Sequence, residues 1–232
     1  MSGITWLGHG SWQLDTPAGA RLLIDPWQNG NPSWPAGYEV DRADAILLTH
    51  GHADHAGDAK GLAERMSCPV VAHYELANWL DAQGVAETIG FNKGGCTTVA
   101  GVAVTLTNAV HSSTAPDGTS LGDPAGFVLE QDGMPTVYFT GDTAVHADMG
   151  LIGEIYRPRI AVLSIGDFYT MGPRQAAHAA RLIGAPEVIG GHYGTFPALT
   201  GTPAALRAAL QTLGVEATVH EGAPGELVRA FG

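Results

Sequence analysis

Four metal-capable side chains fall within six residues in His50-Gly51-His52-Ala53-Asp54-His55, directly after the apolar run Ala45–Leu48. Imidazole nitrogen and carboxylate oxygen are ligands for zinc, manganese or iron, and ligands so close in sequence cannot all reach one ion without strain. The spacing therefore points to two neighbouring ions. A polar turn with capping residues is the ordinary alternative, and it gives no reason for four ligand side chains at this spacing.

Three more residues each follow an apolar run: His111 after Asn108-Ala109-Val110, Asp142 after Tyr138-Phe139-Thr140-Gly141, and His192 after Val188-Ile189-Gly190-Gly191. Loops at strand ends are where a rigid sheet holds distant residues around one point. Taken singly, each is equally a turn former or a helix cap. His9, between Gly8 and Gly10, is a candidate to contact substrate or brace a ligand, or a structural histidine. Tyr193 is a candidate for stabilising oxyanion charge or a packed tyrosine. His73, His146, His178 and His220 have no partner motif and read as structural.

Elements must position these groups. Short β-like runs occur at 4–7, 21–24, 45–49, 70–72, 102–107, 126–130, 136–140, 160–165, 187–189, 217–220 and 226–230, bounded by Gly, Pro or Asp. Helical segments are expected over 58–66, 75–83, 144–155, 173–183 and 203–213, with Pro173 and Pro203 suited to a first helical turn. Gly84, Gly184 and Gly214 follow three of them. The pattern suggests two mixed sheets packed together under outer helices. A weak internal echo, a strand ending in Asp followed by a second strand, recurs at 22–25 with 45–50 and at 136–142 with 160–167, which predicts that the two strand pairs superpose. The polar stretches Trp27–Tyr38 and Ser112–Asp123 are candidate loops over the site, the first with packing as its alternative.

The 232 residues, with no linker or low-complexity stretch, are expected to form one domain over 1–232. A net charge of -12 argues against nucleic acid or anionic lipid as partner and favours a small-molecule substrate, while bound cations would reverse the sign locally and leave an anionic substrate open. No apolar run approaches the roughly 18 residues of a membrane span, and the N-terminus lacks a basic-then-apolar leader, so a cytoplasmic location is expected. Cys68 and Cys96 are expected to be buried thiols.

The HxHxDH cluster, followed in order by His111, Asp142 within Thr140-Gly141-Asp142-Thr143, and His192, resembles the metallo-β-lactamase superfamily. Gly8-His9-Gly10-Ser11, Asp25-Pro26-Trp27, Thr170-Met171-Gly172-Pro173 and His192-Tyr193-Gly194-Thr195-Phe196-Pro197 resemble its short branch of metal-dependent hydrolases related to ascorbate-6-phosphate lactonase. The resemblance implies a four-layer αββα sandwich of the α/β class. It implies His50, His52 and His111 on one ion, Asp54, His55 and His192 on the other, Asp142 bridging, and Asp25 bracing the ligand turn from behind. His52 in place of Glu departs from the oxygen-reducing diiron branch, and His55 departs from true β-lactamases, where a cysteine is commonly a ligand. Asp167-Phe168-Tyr169 and His146 also depart from the expected pattern and bear on substrate choice.

The expected function is hydrolysis of a small ester, lactone or phosphodiester by a hydroxide held between two divalent cations, with Asp54 and Asp142 as the catalytic carboxylates. Zinc is the first candidate, with manganese, nickel or iron as alternatives. The rival readings are a non-catalytic metal-binding sensor or scaffold, and a nuclease or phosphodiesterase acting on nucleotides. A homo-oligomer is compatible with the family.

Overall fold

Alternation within the shortest strands already requires two cores. In Ala45-Ile46-Leu47-Leu48 every residue is buried, yet Ala45 and Leu47 join one apolar cluster while Ile46 and Leu48 join another. The run Ile160–Ser164 behaves the same way, with Ile160 and Val162 on one face and Ala161 and Leu163 on the other. Strands covered on both faces lose the polar half of the alternation and read as continuous apolar runs.

The computed structural model describes residues 1–232. Its elements are, in order, β1 (Gly3–Trp6), β2 (Trp12–Asp15), β3 (Arg21–Ile24), β4 (Ala45–Leu48), α1 (Ala53–Ala56), α2 (Ala59–Met66), β5 (Val70–His73), α3 (Tyr74–Ala82) and β6 (Thr88–Phe91). They continue as β7 (Cys96–Val99), β8 (Val102–Asn108), β9 (Ala125–Glu130), β10 (Val137–Phe139), α4 (Asp148–Tyr156), β11 (Ile160–Ser164), α5 (Pro173–Ile183), β12 (Glu187–Gly191), α6 (Pro203–Leu213), β13 (Thr218–His220) and β14 (Leu227–Ala230). No helix is long and apolar enough to cross a membrane.

The strands form two sheets of seven, ordered β14-β1-β2-β3-β4-β5-β6 and β7-β8-β9-β10-β11-β12-β13. The central cluster, including Trp6, Trp12, Leu14, Phe127 and Phe139, lies between them. A second cluster joins the first sheet to α2 and α3, and a third joins the second sheet to α4, α5 and α6. The result is the αββα sandwich of α/β class, with two mixed sheets flanked by helices.

Laying β1–β6 on β8–β13 matches strand order and direction: β1, β2 and β3 pair antiparallel and β3 to β6 parallel, as do β8 to β10 and β10 to β13. The seventh position is filled by β14 in one sheet and by β7 in the other, each antiparallel to its neighbour. The paired strands of the sequence echo, β3 with β4 and β10 with β11, are parallel in both halves. One connection differs: α4 links β10 to β11, whereas residues 25–44 link β3 to β4 without a helix.

Several elements depart from the sequence expectation. β2, β6 and β7 were not expected, because the half-exposed edge runs Thr88–Phe91 and Cys96–Val99 carry little apolar pattern and Trp12–Asp15 alternates within only four residues. α1 is a single turn, too short for a periodicity. The helix expected from residue 144 starts at Asp148, since the Ala144 N–H donates instead to the Val110 carbonyl. Cys68 is buried, but Cys96 is exposed on an edge strand, so the expectation of two buried thiols fails for Cys96.

Candidate metal centre

The chain leaves β4 through Thr49 and His50, and Gly51 gives it room to turn: a Cβ there would meet Leu121 Cδ1 at 2.3 Å. His52 stands extended before α1, and Asp54 and His55 ride on its single turn. Asp25, immediately after β3, fixes the whole bend. Its Oδ1 accepts from Thr49 N (2.7 Å), while its Oδ2 accepts from Thr49 Oγ1 (2.5 Å) and from His55 Nδ1 (2.8 Å). Both Asp25 oxygens are thereby occupied, and His55 presents Nε2 to the opposite side, the carboxylate–histidine arrangement that orients metal ligands.

The second sheet meets this turn with three single side chains. His111 follows β8, Asp142 follows β10, and His192 follows β12 with φ 57°. The His111 loop is tied to the Asp142 loop by Val110 N donating to Thr143 Oγ1 at 2.9 Å. Asp142 Oδ2 lies 3.0 Å from His192 Nε2, 3.4 Å from His55 Nε2 and 3.7 Å from His111 Nε2. His55 Nε2 and both His192 nitrogens are buried without a hydrogen-bond partner despite those short distances. Buried lone pairs without donors are costly unless something electron-poor sits among them.

Three groups of ligand atoms each lie within 4.8 Å: His50, His52 and His111; His9, Asp54, His55 and His192; and, fully buried behind them, Asp25, His50 and His55. His50 Nε2 and His52 Nδ1 face each other at 3.0 Å. Two imidazoles on one tetrahedral ion, with bonds of about 2.0–2.1 Å, would place their nitrogens about 3.3 Å apart. The donor set and these separations fit divalent cations.

Charge leads to the same place. Burial would raise the Asp142 carboxyl, but the imidazoles of His192 and His55 hold it well below the carboxylate range. Burial would lower His55, yet Asp142 and Asp25 on either side outweigh it and raise it well above the ordinary imidazole value. His50, fully enclosed and beside His55, is pushed well down. Without cations the centre thus draws a proton onto His55 to balance its buried carboxylates. Positive charge is what this pocket selects.

All seven expected ligands and Asp25 converge at one edge of the sandwich. His9 is there too: fully buried, with Nε2 3.0 Å from Asp54 Oδ2 and Nδ1 2.9 Å from Thr195 Oγ1. Burial pushes its imidazole down to about 4 against the opposing carboxylate, so the neutral ring donates to Asp54 and accepts from Thr195. The same hydrogen bond helps hold the Asp54 carboxyl well below its usual range, although burial opposes this.

Tyr193 does not join the site. The Tyr193 ring packs against the central core and stacks on Trp6 with centroids 4.9 Å apart. Trp34 and Tyr38 of the first candidate loop pack on the outer core, while Asp58 pins Gln28 and Asn29. Trp27 meets the His9 ring at an edge and lies 6.2 Å from Phe196. In the second loop Ser112 faces the cleft, but Ala115 and Leu121 are buried and Ser113 Oγ accepts from Gly51 N, so the segment is anchored. His73, His178 and His220 pair with Glu75, Arg181 and Glu187, and His146 lies near Asp148, all away from the ligands.

Sequence reasoning missed Thr49, Ser113 and Thr195, whose hydroxyls act only through contacts distant in sequence. Gly10 and Gly166 had no signal either. A Cβ on Gly10 would meet His55 Cε1 at 2.7 Å, and one on Gly166 would meet the His192 carbonyl at 1.9 Å.

Residues 20–193 match the model of the Beta-lactamase superfamily domain. A metal-dependent hydrolase of Herpetosiphon aurantiacus is 54% identical, the alignment covering 96% of this chain and 95% of that protein. One of Solibacter usitatus is 47% identical over 97% and 99% of the two chains. Among solved structures, the metallo hydrolase Igni18 of the archaeon Ignicoccus hospitalis superposes with TM-score 0.85 at 33% identity, covering 96% of this chain and 95% of that one.

Proposed function

This chain belongs to the metallo-β-lactamase superfamily and is a metal-dependent hydrolase, and from that premise we propose that it holds two divalent cations and hydrolyses a small ester, lactone or phosphodiester. In this reading residues 1–232 act as one catalytic domain. His50, His52 and His111 would hold one cation, Asp54, His55 and His192 the other, with Asp142 shared between them. Zinc suits this nitrogen-rich set, and manganese, nickel or iron are the alternatives. When bound, two such ions supply a water acidic enough to act as nucleophile near pH 7 and an electrophile for the substrate oxygen.

The chain's own groups supply the rest. Asp54, oriented by His9 and through it by Thr195, offers a carboxylate oxygen to orient the attacking water. Asp25 keeps the His55 ring fixed, so the cluster does not reorganise during turnover. No serine or cysteine is placed as a nucleophile: Ser112 Oγ is 3.4 Å from His52 Nε2, a ring committed through Nδ1 to the ligand set.

The observation that carries this reading is the Asp142 carboxylate, buried and aimed at imidazoles from both sheets. Elemental analysis of the purified protein, paired with turnover of phosphodiesters, lactones and thioesters before and after chelation, tests it. Two equivalents of metal and chelator-sensitive turnover are expected. Activity that survives complete metal removal, or stoichiometric binding of a single ion, overturns it.

A further inference from the structure

Beside the candidate ligands opens a cleft of about 800 Å³. Apart from His9, His52, Asp54, His111, Asp142 and His192, its walls are Ser112, Tyr169, Phe196, Pro197 and Ala198. None of the chain's eleven lysine and arginine side chains lines it. We propose that this cleft takes a neutral carboxylic ester or lactone bearing an alkyl or aryl arm, and that Tyr169 and Phe196 receive the arm; the inference rests on the hydrolase reading above.

The aromatic wall is built, not incidental. Asp167 and Phe168 both adopt left-handed backbone, at φ 68° and 59°, a costly conformation for residues with side chains. The turn is held from both sides by segments that carry ligands. Met171 N donates to the Thr143 carbonyl next to Asp142, and the absence of a Cβ on Gly166 lets the strand end lie against the His192 carbonyl. This strained turn presents Phe168 and Tyr169 edge to face at 4.7 Å, 72% and 58% exposed. Phe196 stands on the same cleft with its ring 5.7 Å from His9 and 6.2 Å from Trp27. Exposed aromatics on strained backbone beside a polar floor are the expected build of a pocket that binds one end of a ligand by contact and the other by coordination.

Charge decides between the substrate classes. A phosphodiester keeps a negative charge on its non-bridging oxygens, and sites that take phosphoryl groups add guanidinium, ammonium or clustered N–H donors to their metals. This cleft adds none of these beyond the candidate ligands themselves, since its other walls are Ser112, Tyr169, Phe196, Pro197 and Ala198. A neutral acyl group needs none of them. Water oxygen adds to the acyl carbon, the bond from that carbon to the alkoxy oxygen breaks, and the alcohol leaves with one proton of the water. The second proton is released as the acid ionises.

The test uses substrates with one leaving group: 4-nitrophenyl acetate, butyrate and monosuccinate, and bis(4-nitrophenyl) phosphate, on the metal-loaded protein. The butyrate should show the highest kcat/KM. Tyr169→Ala and Phe196→Ala should raise its KM by roughly tenfold, with Phe196→Leu recovering most of the loss. Calorimetry with butyrophenone, which cannot be hydrolysed, gives a readout independent of turnover: binding to wild type, about tenfold weaker binding to Phe196→Ala. Preferred turnover of the phosphodiester or monosuccinate overturns the inference while leaving a hydrolase in place. Turnover of none of the four, with any metal, counts against the hydrolase reading instead, and butyrophenone binding then decides the cleft alone, its absence overturning the inference.

Discussion

The two sheets repeat one plan, and equivalent positions in them do different work. Asp25 follows β3 and Asp142 follows β10, the fourth strands of their sheets counted from the antiparallel edge. Asp25 spends both oxygens on Thr49 and His55, whereas Asp142 directs Oδ2 at three imidazoles that it does not hydrogen bond. His9 after β1 and His111 after β8 are likewise equivalent, yet His9 is closed off by Asp54 and Thr195 while His111 remains partly open to the cleft. The first half concentrates four of the proposed ligands in one bend after β4, and the second distributes three over separate loops. Residue type and position do not separate a brace from a ligand. What separates them is whether the polar atoms are already satisfied by the protein.

The comparison breaks most sharply at Asp142. Asp142→Ala should remove metal from both positions and lower turnover by at least about 10³-fold, with far-UV circular dichroism unchanged. His52→Ala should abolish turnover to a similar degree but keep close to one equivalent of metal, because His52 serves only one group. Full activity in either variant, or equal metal loss in both, would contradict the division of labour.

If, as proposed, residues of both halves hold the same cations, chelation should loosen the packing of one sheet on the other. Binding at a thousandfold excess over Kd stabilises by about 4 kcal/mol. For a chain of this size that corresponds to a fall in Tm of roughly ten degrees on metal removal. An unchanged melting curve after verified metal loss would mean the halves do not depend on the centre. Asp25→Asn probes the brace more gently. It should weaken metal affinity about 10–100-fold while leaving the ligand count intact. Equilibrium competition with a chromophoric chelator measures this directly, and wild-type affinity in that variant would reduce Asp25 to a turn former.

Much of this was legible before any coordinates. Buried parallel strands are recognisable because both faces are apolar, so β3, β4, β10 and β11 fall where the runs predict, and the ligand bend after β4 stands out by composition alone. Edge strands escape because solvent on one side dilutes the pattern, as in Thr88–Phe91. Tyr193 misleads because neighbours in sequence need not share a face: its ring stacks on Trp6 in the core while His192 faces the centre. The aromatic wall at Tyr169 and Phe196 is assembled from two loops with no shared motif. Only folding brings them to one cleft.

The smallest expected effect lies at the other end of β12, where Glu187 joins the halves without touching the centre. Its carboxylate takes Arg159 Nε at 2.8 Å, His220 Nε2 at 2.8 Å and Arg229 Nη2 at 3.2 Å, and Arg229 belongs to β14 of the first sheet. The Arg229 hydrogen bond, against the pull of burial, draws the carboxyl down to about 2. A folded-state value below the unfolded one, about 4.3, stabilises above the unfolded value and is lost as pH falls toward the folded one. Glu187→Gln should therefore cost about 1–3 kcal/mol near neutrality. The stability gap to wild type, measured on metal-free protein so that ligand protonation does not intrude, should close as pH drops from about 4.5 toward 2. Metal content should stay at the wild-type level throughout, since His192 leaves the opposite end of the same strand. A gap independent of pH would assign the effect to packing, and lost metal would show that the clip and the centre are one unit.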